Sequence, residues 1–195
     1  MVSGAPPRTA VLLGTEQGVR AELAALLAGH GFAVSEQLAD VAELDLLVID
    51  TSLAASETRF REVTDDAFLA ALEHQLFEPV AAIQAAAPQL RDGGAIVLIA
   101  SRAHLGGWGG ADVVAGGAAL VGMMRSIALE FASRAIRINL IAPDYLGAAS
   151  PAAATLAEIA DTAAWLAGPG GAAVSGETIL LDRGHSLRMN EAARR

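Results

Sequence analysis

Two stretches of the chain hold residue types at a spacing that can do chemistry. Gly14-Thr-Glu-Gln-Gly18-Val-Arg20 follows an apolar run directly and opens an amphipathic one. Glycines there permit a tight turn and close backbone approach, and a helix N-terminus favours an anion. One reading is therefore a nucleotide loop with Gly14, Gly18 and Arg20 as ligands. The other is a bare strand-to-helix turn, and Glu16 places a carboxylate where a pyrophosphate would lie. The second stretch is Ser101 with His104 three residues on, the types of a nucleophile and its base. No Gly-x-Ser-x-Gly elbow surrounds Ser101, and a histidine in a glycine-rich loop is commonly a solvated surface residue. His30, His74, His104 and His185 lack metal-ligand spacing, so no metal site is expected. Arg102 and Arg125 have the charge to hold an anion, although lone arginines commonly solvate a surface.

Equally informative is the chemistry that is missing. All 13 basic residues are arginine, cysteine is absent, and Tyr145 is the one tyrosine. Lysine Schiff bases, thiolate nucleophiles and Cys-ligated zinc are excluded. The 22 acidic residues give a formal charge of -9, so no broad phosphate-neutralising surface exists and nucleic acid is not an expected partner. No apolar run reaches membrane-spanning length without a charge, Gly or Pro, and no Arg-led apolar segment opens the chain. The expectation is a cytoplasmic protein with no membrane partner. Hydrophobic residues make up 53% and mean hydropathy is +0.44, which favours a folded core and a subunit interface.

These residues are positioned by apolar runs alternating with helical stretches. Strands are expected at 9–14, 32–35, 46–50, 95–100, 136–142 and 177–182, and helices at 16–30, 64–90, 112–132 and 157–167. Thr64 followed by Asp65 and Asp66 marks a helix start, and Pro79 and Pro88 should bend or break the helix that follows. Arg91-Asp92-Gly93-Gly94 reads as a turn. Continuous apolar strands separated by helices predict a doubly wound parallel sheet covered on both faces. A single domain over 1–195 is expected, with 1–8 and 190–195 as loose ends.

Five segments, in order, resemble the short-chain dehydrogenase/reductase family. Gly14 and Gly18 match two glycines of its Thr-Gly-x-x-x-Gly-x-Gly loop, with Arg20 in place of the third. Asp45-Leu-Leu-Val-Ile-Asp-Thr-Ser52 resembles the strand carrying its Asn-Asn-Ala-Gly motif, and Gly94-Ala-Ile-Val-Leu-Ile-Ala-Ser101 the strand that delivers its catalytic serine. Arg134-Ala-Ile-Arg-Ile-Asn-Leu-Ile-Ala-Pro143 is similar to the strand before its Pro-Gly turn, with Asp144 replacing the glycine. Ser175–Gly184 resembles its last strand.

The resemblance implies a Rossmann-like fold with one edge strand-helix unit deleted, because the stretch between Gly18 and Leu46 is short. It also implies a lost active site. Ala118–Glu130 resembles the family run that follows Tyr-x-x-x-Lys, which places Val113 at the tyrosine and Gly117 at the lysine. The family's asparagine falls on Gln75, so Ser101 is the remaining match. Valine cannot transfer a proton, and glycine can neither lower a pKa nor hold a ribose. The implied function is a non-catalytic subunit without a cofactor, or with NAD(P) if any. It would assemble with itself or with an active relative through helices 64–90 and 112–132. Two alternatives stay open: an atypical enzyme around Ser101 with Gln75, Asp144 or Tyr145, and a nucleotide-sensing module using the Gly14–Gly18 loop.

Overall fold

The computed structural model describes residues 7–14, 17–53, 58–106, 110–144 and 154–188. Six parallel strands form one sheet: β1 (Arg8–Gly14), β2 (Phe32–Ser35), β3 (Leu44–Asp50), β4 (Leu90–Ile99), β5 (Arg137–Pro143) and β6 (Thr178–Leu181). Their spatial order is β2-β1-β3-β4-β5-β6. That is the doubly wound order lacking the strand that would lie outside β2. Leaving out an edge strand spares the inner ladders, so β1 still pairs β3 with Val11 opposite Leu47, and β3 pairs β4 with Leu47 opposite Ile96.

The strand centres are largely apolar because both faces are covered. Alternate residues point to opposite faces of a strand. Leu46 and Val48 enter one core with Leu23 and Leu27 of α1 (Gln17–Gly29) and Ile159, Ala163 and Leu166 of α5 (Leu156–Ala167). Leu47 and Ile49 enter the other with Ile83 of α3 (Glu78–Ala86) and Leu120 and Met124 of α4 (Ala111–Glu130). The remaining helix, α2 (Asp65–Leu72), packs on α4. By length and composition α4 is apolar enough to cross a membrane. Leu120 and Met124 nevertheless commit one of its faces to the core.

Local signals set the helix ends. The Thr64 hydroxyl accepts the Ala67 N–H, and Thr155 with Glu158 forms a reciprocal capping box. The bend expected near Pro79 takes the form of a π-helical turn at Glu73–Phe77, where the Glu78 N–H reaches back to the Glu73 carbonyl. Proline has no N–H to give the Gln75 carbonyl, so the chain widens by one residue there. The helix ends at Ala86, short of Pro88.

Two expectations need correction. Arg91–Gly94 is no separate turn but an irregular stretch inside β4: Leu44 pairs with Leu90, and the register resumes at Leu46 with Ala95. Gly93 takes φ +79 there, and Arg91 holds the stretch down by bonding Glu43 and Asp45. Arg8 is no loose end, since it starts β1 and lays its guanidinium 4.2 Å from the centre of the Phe32 ring.

Candidate functional site

In an open parallel sheet, ligands collect beyond the carboxyl ends of the strands. Gly14 closes β1 at φ +96, and a Cβ added there would come 2.1 Å from the Asp50 carbonyl oxygen at the end of β3. That contact between neighbouring strands explains the glycine without any ligand. Gly18 lies in the first turn of α1, and the Arg20 Nε lies 3.7 Å from Glu36 just beyond β2. The three residues read as anion ligands therefore sit apart: one glycine held by packing, one in the helix, and one arginine beside a carboxylate. Glu16, Trp108 and Tyr145 lie outside the described residues.

The end of β3 carries a carboxylate. Asp50 is buried and its Oδ1 accepts the Ser52 N–H at 2.9 Å and the Ser52 hydroxyl at 2.6 Å. The Thr51 hydroxyl donates to the Ile99 carbonyl, tying the β3 end to β4.

Beyond β4, Ser101 is buried and its hydroxyl accepts the Ala103 N–H at 3.1 Å, capping a short 3-10 turn over Arg102–Leu105. His104 Nδ1 lies 2.9 Å from the Ser101 carbonyl oxygen. A ring N–H facing that oxygen donates to the backbone, so Nδ1 is not poised to take the hydroxyl proton. Nε2 is then the acceptor nitrogen, and among the described residues the Ser101 hydroxyl makes its hydrogen bond with the Ala103 N–H and none with Nε2.

Helix α4 presents Val113, Gly116, Gly117 and Leu120 on its buried side. A Cβ on Gly117 would lie 3.4 Å from His104 Cβ, and one on Gly116 would lie 2.3 Å from Gln75 Oε1. Gln75 is 1% exposed within the π-helical turn, and its Oε1 has no hydrogen-bond partner. The structure thus sets Gly117 against His104, which bonds Ser101, and Gly116 against Gln75, with Val113 on the same buried side of α4. Of these, Ser101 and Gln75 are polar but neutral, and neither offers a proton acceptor stronger than an amide or hydroxyl oxygen.

A contact chain not anticipated in the sequence crosses the neighbouring strand ends. Arg102 Nε donates to Asp144 Oδ1 at 2.7 Å, joining the loop after β4 to the end of β5, and the two side chains are 17% and 4% exposed. Asp144 Oδ2 lies 3.5 Å from His185 Nδ1, beyond β6. Asp182, at the end of β6, is buried. Burial works to raise its pKa, but hydrogen bonds from Ser186 and Gly184, helped by the Arg102 charge, hold it below the ordinary carboxylate range. The available signals were Asp144 in place of a glycine and Arg102 beside Ser101, but only the fold shows that β4, β5 and β6 bring them together.

Among the described residues, the strand ends offer a nicotinamide dinucleotide carboxylates rather than free cations. Asp50 and Asp144 place carboxylates at the ends of β3 and β5, and the Arg102 guanidinium is engaged by Asp144. Like charges at such a site oppose binding by Coulomb repulsion, and no lysine exists to offset them.

Comparison with known proteins agrees with the architecture. The family model described as enoyl-(acyl carrier protein) reductase matches residues 32–154. A short-chain dehydrogenase/reductase from Serratia marcescens superposes with a TM-score of 0.78 at 24% identity, over 92% of this chain and 97% of that one. A short chain dehydrogenase family protein from Francisella tularensis gives 0.81 at 14% identity, over 93% and 99%. BdcA, whose structure is a complex with NADPH, gives 0.75 at 24%, over 89% and 92%. No curated protein sequence matches the chain.

Proposed function

The chain belongs to the short-chain dehydrogenase/reductase family, and we propose that it is a non-catalytic member acting as a structural or regulatory subunit. The observation that carries this reading is the pair Val113 and Gly117 at the positions where the family resemblance places its tyrosine and lysine. Both lie on the buried side of α4, and His104 rests against the second. A hydrocarbon and a hydrogen atom supply no proton transfer there. The carboxylates at the strand ends support the same reading from the cofactor side.

What the subunit keeps is its helical face. Leu69 of α2 is 59% exposed, Phe77 of the π-helical turn 57%, and Leu129 of α4 80%. Large apolar side chains left uncovered on adjoining helices favour an interface. We assign this face to assembly with a second copy or with an active relative of the same fold.

Titration of the pure protein with NADH and NADPH tests the non-catalytic reading, followed by quenching of Trp165 fluorescence and by calorimetry. The expected outcome is no saturable binding up to millimolar nucleotide. Saturation in the micromolar range would overturn the argument from the carboxylates and restore an enzyme or a sensor.

A further inference from the structure

The segment after β6, residues 182–188, turns back at Gly184 and ends in a short 3-10 turn over His185–Arg188. Its shape comes from Asp182, whose Oδ1 accepts the Gly184 N–H at 2.9 Å and whose Oδ2 accepts the Ser186 N–H at 2.7 Å. It has no apolar anchor, because Leu187 is 82% exposed and His185 is exposed as well. A short turn without buried apolar area does not hold its place by the hydrophobic effect.

Arg183 pairs with Glu158 of α5 at 2.8 Å, and the segment's other polar contacts run in strand order. Arg102 follows β4, Asp144 follows β5, and His185 follows β6, each touching the next. Asp182 feels the Arg102 charge as well, so one guanidinium serves the carboxylates at two strand ends. We infer that Arg102, Asp144 and His185 form a polar latch that, together with the Arg183–Glu158 pair, straps segment 182–188 down beside the strand ends. The segment's position is therefore tied to this chain's own polar side chains. The guanidinium holds Asp144 rigid in its buried position, and Asp144 then presents its second oxygen to the strap. Removing Arg102 leaves a buried carboxylate uncompensated, which is far more costly than removing an exposed partner. The exposed His185 is the releasable end. The inference does not depend on whether the chain is catalytic, and its test reads neither activity nor nucleotide binding.

Hydrogen exchange followed by mass spectrometry on the intact protein provides that test, reading the Ser186 and Leu187 amides in wild type, His185→Ala, Arg102→Ala and the double variant. The expected result is protection in wild type and roughly tenfold faster exchange in His185→Ala, with β4 and β5 amides unchanged. The double variant should exchange no faster than Arg102→Ala alone, because one chain of contacts is being cut twice. Unprotected amides in wild type, or no change on His185→Ala, would overturn the latch. So would additive effects in the double variant. His185 is exposed and outside the core, so its variant decides the matter even if Arg102→Ala does not fold.

Discussion

Gly116 and Gln75 show how far single residues can be read. Gln75 packs against Gly116, and Gly117 against His104. Gly116 has to be small because of a side chain 41 positions away in the chain, a need that no local reading shows. A glycine inside a helix costs about 1 kcal/mol against alanine, so its persistence asks for a reason. Here a methyl group would strike the buried Gln75 amide at 2.3 Å. We expect Gly116→Ala to destabilise the protein by about 1–3 kcal/mol through overpacking. In a Gln75→Ala background the same change should stabilise it by about 1 kcal/mol, as helix propensity alone then acts. Denaturant unfolding of the four proteins checks this, and stabilisation in both backgrounds would show that Gln75 does not fill the space. Gly14 carries the same lesson. Its glycine looked like a nucleotide-loop signature, and its packing against Asp50 accounts for it from across the sheet.

At the scale of elements, sequence reading succeeded where the signal was local. Runs such as 46–49 and 95–100 are apolar at every position, and Thr64 and Thr155 cap their helices with their own hydroxyls. It fell short where two elements make the signal together. The irregular stretch 91–94 belongs to β4 because Glu43 and Asp45 hold Arg91. Arg137 is another such case. On β5 it reads as a polar interruption of a strand, yet it is buried and donates to the carbonyls of Leu166, Gly171, Gly93 and Ala167. It thereby satisfies the carboxyl end of α5, whose last carbonyls have no helical partner. Burial pulls its pKa below the ordinary arginine value, so the group is held charged at a cost that the carbonyls offset. Arg137→Met should cost about 2–4 kcal/mol, the sum of unsatisfied buried acceptors. Arg137→Lys should recover little of it, since one ammonium cannot reach the same oxygens. Unfolding midpoints in urea measure both, and a neutral Arg137→Met would mean that water replaces the guanidinium freely.

For the whole molecule, the question is what an apolar, acidic chain does with the face its sheet does not use. Helix α4 spends one side on the core through Leu120 and Met124. The other ends at Leu129, with Leu69 and Phe77 exposed on the α2–α3 side. Among described residues α4 carries three charges in 20 positions, Asp112, Arg125 and Glu130, and Asp112 is buried. A helical face with only Arg125 and Glu130 as exposed charges along α4 is poorly hydrated, and covering it needs an interface of about 1,200–2,000 Å² in total for a stable pair. The net charge of -9 does not prevent this, because repulsion between exposed charges is screened beyond about 8–10 Å at physiological salt. We therefore expect light scattering behind size exclusion to give at least twice the 19.8 kDa chain mass. A charge set into an apolar interface has to be desolvated without a partner, so Leu129→Asp should return the species to a monomer with its helical signal intact. Leu187→Asp, which changes an equally exposed leucine outside this face, should leave the mass unaltered. A wild-type monomer would remove the homo-oligomer, and the face would then have to be tested against an active relative mixed in equal amount. If Leu129→Asp stayed assembled, the interface would lie elsewhere on the surface.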